Sequence, residues 1–71
     1  MSKLAIMNYD IQEIIILDVS DKQEDKLFNK YDENTYDWLR GEHIDEKFGF
    51  NASCIDYMWL EDDETIRYES V

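Results

Sequence analysis

Ile11-Gln12-Glu13-Ile14-Ile15-Ile16-Leu17-Asp18-Val19 decides how this chain folds. An amphipathic helix spaces its apolar residues three and four apart, whereas here four follow one another and acids flank them. Ile and Val are stiff at χ1 and favour the extended chain, so the run predicts a buried strand. Leu4, Ile6 and Tyr9 allow the extended segment to reach further back.

Helices follow in the pattern. Ser20 or Asp21 is placed to cap a first helix, with Glu24 three residues beyond Asp21 in the capping-box relation. That helix is expected to run to about Tyr31 and to bury Leu27, Phe28 and Tyr31. Asp32-Glu33-Asn34 reads as a break. Asn34 or Thr35 then caps a second helix over 36–48, whose Tyr36, Leu39, Ile44 and Phe48 keep the spacing of one apolar face, with Trp38 at its edge. Gly41 weakens that helix by about 1 kcal/mol relative to alanine, and Gly49 suits its left-handed C-terminal position.

Residues 53–60 alternate, with Ile55, Tyr57 and Trp59 on one side and Cys54, Asp56, Met58 and Leu60 on the other. Glu61-Asp62-Asp63-Glu64 reads as a turn, and 65–70 as a short return strand carrying Ile66 and Tyr68. The turn has no Asn-Gly or Asp-Gly, so a four-residue loop is expected. The elements predict a single α+β domain over 1–71 in the order β-α-α-β-β, an antiparallel sheet with two helices on one face. If only one face is covered, either Ile55/Tyr57/Trp59 or Met58/Leu60 stays accessible beside the acidic turn.

Charge is the chain's dominant bulk property. Eighteen carboxylates against seven Lys and Arg give 71 residues a formal net charge of −11. Acidic disordered tails lack aromatics, but this chain carries two Trp, five Tyr and three Phe, and 44% of it is hydrophobic. The reading is therefore a folded domain that tolerates self-repulsion. Lys22, Lys26 and Lys30 form a stripe that balances the first helix, so the excess concentrates in Glu42, Asp45 and Glu46 and in Glu61, Asp62, Asp63 and Glu64. Like charges at i,i+4, as at Glu42 and Glu46, cost roughly 0.2–0.5 kcal/mol. Unfavourable clusters of this kind are where local sequence logic yields to function.

Chemistry-bearing alternatives are thin. His43 and Cys54 with Asp45 or Asp56 could be drawn as a thiol-nucleophile site, but no surrounding motif supports it. Asp32, Asn34 and Asp37 do not keep the spacing of a calcium loop, and one cysteine with one histidine offers no zinc set. No enzyme activity, cofactor or metal is expected. A single cysteine and the lack of disulfides fit a reducing cytoplasm. The longest apolar run is far short of a bilayer span. Anionic membranes and nucleic acids repel such a chain, so neither is expected as a direct ligand.

The remaining expectation is a basic protein partner. Duplex DNA carries one charge per ~1.7 Å of axis, so eleven charges match about 19 Å of duplex, or five to six base pairs. In charge and size alone, the chain resembles the small acidic inhibitors known as DNA mimics, many of them phage-encoded. That resemblance implies inhibition of a basic nucleic-acid-binding enzyme, as in anti-CRISPR or anti-restriction counter-defence, within the host cytoplasm. The residues expected at the partner are Glu42, Asp45, Glu46, Trp59, Glu61, Asp62, Asp63, Glu64 and Tyr68. An alternative is an antitoxin or immunity-type protein that neutralises one basic toxin, its specificity resting on Trp and Tyr anchors. A homodimer surface, or acidity that serves solubility alone, completes the field.

Overall fold

The structure, a computed structural model, describes residues 2–61 and 67–71. The isoleucine-rich run forms a strand, and the residues before it form another. β1 (Ser2–Asn8) and β2 (Glu13–Val19) pair as an antiparallel hairpin, with Leu4 opposite Leu17 and Ile6 opposite Ile15. The single extended segment expected at the N-terminus is therefore two strands. Their loop, residues 9–12, contains neither Gly nor Pro. It turns because the buried Asn8 side chain accepts a hydrogen bond from Asp10 N–H at 3.2 Å and Gln12 adopts a left-handed φ of 54°.

β3 (Ile55–Leu60) pairs with the other side of β1, giving the antiparallel order β2-β1-β3. Both β2 and β3 are thus edge strands. The alternation read from the sequence holds: Ile55, Tyr57 and Trp59 face inward beside Asn8, Ile6 and Leu4 of β1. A 3-10 turn (Ala52–Cys54) precedes β3 and takes residues expected in the strand. Of the expected return strand, residues 67–70 lie outside the sheet, and Asp62, Asp63, Glu64, Thr65 and Ile66 lie outside the described residues.

Three helices cover one face of this sheet, making a small α+β domain. α1 (Asp21–Asn29) is capped by Ser20, whose hydroxyl accepts from Gln23 N–H at 3.3 Å. The cap pairing is thus Ser20 with Gln23, not Asp21 with Glu24. α1 buries Leu27, while Phe28, expected inside, is exposed. α2 (Thr35–Gly41) is capped by Asn34, which accepts from Asp37 N–H at 3.1 Å.

The second helix expected over 36–48 is broken. Glu42 ends α2, His43 takes φ 58°, and α3 (Ile44–Phe48) begins afresh, with Gly49 closing it at φ 75° as anticipated. Trp38, expected at the edge of the apolar face, is in the core at 1% exposure, and Phe48, expected on that face, is 49% exposed. Trp38 packs at 5.7 Å against Trp59, and its indole N–H donates to Gln23 Oε1 at 3.1 Å.

Gly41 marks a close approach. A Cβ there overlaps the ring and hydroxyl of Tyr31. Gly41→Ala gains the ~1 kcal/mol helix preference of alanine, but overpacking typically costs about 1–3 kcal/mol. The variant is expected to have a lower urea midpoint than the parent, with a smaller deficit in a Tyr31→Phe background that lacks the hydroxyl. A midpoint above the parent's would show that Tyr31 steps aside freely.

Candidate partner-binding surface

The strand run that decides the fold also builds this surface. A sheet covered on one side normally alternates apolar and polar residues, but Ile14-Ile15-Ile16-Leu17 supplies apolar side chains to both faces of β2. Ile15 and Leu17 pack under the helices. Ile14 and Ile16 stand on the opposite face, beside Met7 and Ala5 of β1, with Met58 and Leu60 of β3 completing the rows. Among the described residues no helix covers them: Ile14 is 73% and Met58 59% exposed, and Met7 and Ile16 are also exposed. A shallow groove of about 550 Å³ crosses this face, bordered by Arg67 and Tyr68. Tyr68 is 88% exposed, so it stands at the margin and leaves the rows open.

Acids frame the apolar rows. Asp56 lies opposite Met7 and Asp18 opposite Lys3, both on the open face, and Asp10 stands in the hairpin loop next to the exposed Tyr9 and Ile11. Lys3 meets Asp18 at 3.9 Å with both side chains well hydrated, a pairing worth little. The result is an apolar centre with a charged rim, the anatomy of a protein–protein interface.

The residues expected at the partner are distributed differently from their clustering in sequence. Glu42 is an internal hub. Its side chain is 10% exposed, and it accepts from Tyr31 Oη at 2.7 Å, Lys26 Nζ at 2.9 Å and Lys30 Nζ at 3.4 Å. The Tyr31 hydroxyl first, then Lys26 and Lys30, stabilise the anion and hold its carboxyl at about 2, down from an ordinary 4.5. Two lysines of the stripe, Lys26 and Lys30, are thus the counter-charge for Glu42. The helix break also separates Glu42 from Glu46, so they are not an i,i+4 pair.

Asp45 is half-buried and accepts from the Glu46 N–H at 2.8 Å, while Glu46 is exposed and meets His43 Nδ1 at 3.5 Å. Trp59 points into the fold, where its indole N–H donates to Thr35 Oγ1 at 3.1 Å. Glu61 is exposed at the end of β3. α3 sits beside β2, sharing a cleft with Ile16, Leu17 and Val19. Glu46 and Glu61 therefore belong to opposite edges of the sheet. Asp62, Asp63 and Glu64 lie outside the described residues.

Sequence reasoning named Met58 and Leu60 as one of two alternatives and missed Met7, Ile14 and Ile16. The signal for them was the unbroken apolar run itself, which promises two apolar faces where the fold covers one.

The thiol site gains no geometric support. Burial pushes the Cys54 thiol up, and the neighbouring Asp10 carboxylate adds to the shift, the reverse of an activated nucleophile. Among the described residues, no group of three or more His, Cys, Asp and Glu is placed to hold a metal ion, and no helix is long and apolar enough to cross a membrane. Comparison with protein-family models, with curated proteins and with solved structures finds no match to this chain.

Proposed function

We propose that the protein is a non-enzymatic acidic binder that occupies the nucleic-acid-binding surface of a basic protein and excludes its substrate. The observation that carries this reading is the uncovered apolar sheet face framed by Asp10, Asp18 and Asp56 on a chain of net charge −11. Contiguous exposed apolar surface of this kind marks an interaction site. The charge selects the partner. A second copy brings like charges together, which costs several kcal/mol, whereas a Lys/Arg-lined groove is complementary. Steering by complementary fields speeds association, and fixed carboxylates stand in for phosphates. Size and charge suit phage or mobile-element counter-defence against restriction or CRISPR enzymes.

Because both tryptophans point away from the open face, the exposed aromatic anchors beside it are Tyr9 and Tyr68. The acid set at the partner is accordingly Asp10, Asp18, Asp56 and Glu61, with Glu46 on the far edge and Glu42 holding the fold.

The test is affinity capture from host lysate at low and high salt. The captured protein is expected to be a basic nucleic-acid-binding protein, displaced by duplex DNA or RNA. Its association should slow roughly 10²-fold or more as salt screens the steering. Affinity that is unchanged between the two salts sinks the mimicry. A double variant, Ile14→Thr with Met58→Thr, keeps β propensity and should change stability by about 1 kcal/mol or less. The same variant is expected to weaken capture by at least about 2 kcal/mol, the scale of interface hot spots. Undiminished capture by it would move the interface off this face, and a sedimentation-defined dimer at neutral pH would favour a second copy over the basic partner.

A further inference from the structure

A second concavity lies on the other side of the molecule, between α1, the α1–α2 connection and the ends of β1 and β3. It holds about 480 Å³ and is walled by Leu27, Phe28, Tyr57, Trp59 and Leu60. Three carboxylates, Glu24, Glu33 and Glu61, line it, and no Lys, Arg or His does among the described residues. Glu24 is half-buried, but its Oε1 has no contact with solvent and receives no hydrogen bond among the described residues. A buried carboxylate oxygen without a donor is costly, and native folds rarely leave one so. A donor that enters the cleft from outside would satisfy that oxygen.

Chemistry narrows the donor. An anion meets three carboxylates, and a neutral apolar ligand leaves Glu24 Oε1 unsatisfied. A cation satisfies the acids, and the aromatic walls favour one with a flat, delocalised charge. Guanidinium is planar, weakly hydrated, stacks on aromatic faces and presents several N–H donors to carboxylates. The Trp59 ring is already fixed by its hydrogen bond to Thr35 and its contact with Trp38, so ordering it adds no cost on binding.

We infer that this cleft is a receptor for an arginine side chain of a partner protein, with Glu24 Oε1 as the inner acceptor, Glu33 and Glu61 at the mouth, and Trp59 and Tyr57 as the aromatic wall. The inference deepens the proposed function, which supplies the source of the arginine. It also makes a second contact region, which adjoins the open sheet face at the end of β3. Arginine is the residue that a nucleic-acid-binding groove offers in number.

The probe is the blocked tripeptide acetyl-Gly-Arg-Gly-amide, titrated into the full chain and followed by amide and indole NMR. Saturable shifts are expected at Trp59 Nε1–H and at the Glu24 and Glu33 amides. The lysine tripeptide should bind at least several-fold more weakly, and the citrulline tripeptide, neutral but isosteric, not at all. Glu24→Gln and Glu33→Gln should each weaken binding about tenfold or more while circular dichroism stays unchanged, since neither removes a hydrogen bond from the fold. Shifts scattered over the acidic surface without saturation overturn the inference, as does citrulline or lysine binding equal to arginine. The titration needs no partner. Failed peptide binding alongside salt-sensitive capture would overturn the cleft alone, and the converse would overturn the proposed function alone.

Discussion

Trp38→Ala is expected to leave most of the chain unfolded at room temperature. Trp38 is among the largest fully buried side chains, fitted between α1, the sheet and Trp59, and its indole N–H has its own partner in Gln23. Removing a buried Trp costs about 3–5 kcal/mol in transfer and cavity terms. A chain of 71 residues at roughly 0.05–0.15 kcal/mol per residue holds a total of only about 4–11 kcal/mol, and self-repulsion pushes it toward the lower end. Urea titration by far-UV circular dichroism should show little or no folded baseline for the alanine variant and a cooperative transition for Trp38→Phe. A Trp38→Ala transition within about 1 kcal/mol of the parent would mean that the core is not organised on this residue.

Glu42→Gln is expected to abolish a pH dependence as well as stability. The folded-state carboxyl sits at about 2, below the ordinary 4.5. A depressed carboxyl contributes stability that is present above the ordinary value and lost as pH falls through the folded one. Parent and variant should therefore differ most at neutral pH and converge as pH drops from about 4.5, with most of the gap gone near pH 2, where the folded-state Glu42 is half protonated. The alkaline side has the opposite sign. Hydrogen bonding to Glu42 raises both Tyr31 and Lys30, so their contribution is present at neutral pH and lost as pH climbs through the raised values. The variant should lack that limb too. Stability measured for both proteins from pH 2 to 11 checks this, and a constant gap across the range would remove Glu42 from its role. Because the comparison is a difference, the relief of general repulsion on acidification cancels.

Much of the fold was legible where a residue's role is local. Ser20, Asn34 and Gly49 cap helices by short-range chemistry, and the alternation from Ile55 to Trp59 reports a half-covered strand directly. The hairpin between β1 and β2 was hidden because its loop lacks Gly and Pro, and the Asn8 side chain that turns it sits inside an otherwise extended pattern, followed by a left-handed Gln12. The break at His43 was hidden for a different reason. It is set by tertiary demand: the helix stops where the Glu42 carboxylate reaches Tyr31, Lys26 and Lys30 on α1. The same contact misled the reading of charge. Counting acids along the chain cannot tell Glu42, anchored inside, from Glu46, exposed to water. The apolar run at Ile14 had the reverse status, since its pattern announced two apolar faces while only the three-dimensional fold shows which one is left open.

The position of β2 at the margin of the sheet has a consequence for handling the protein. Glu13–Val19 is long, β-branched and without Lys, Pro or Gly, and among the described residues no strand lies beside its outer backbone groups. Such a strand templates its own addition to a neighbouring molecule, and natural edges usually block this with basic residues, bulges or prolines. Here the block is colloidal. At neutral pH eleven negative charges keep molecules from the distance at which backbones pair, and near the isoelectric pH of about 4.1 that repulsion vanishes while the edge remains. Concentrated solutions should therefore stay clear when neutral and deposit β-rich fibrils on mild acidification. The acidity on which the proposed binding rests also governs the protein's shelf life.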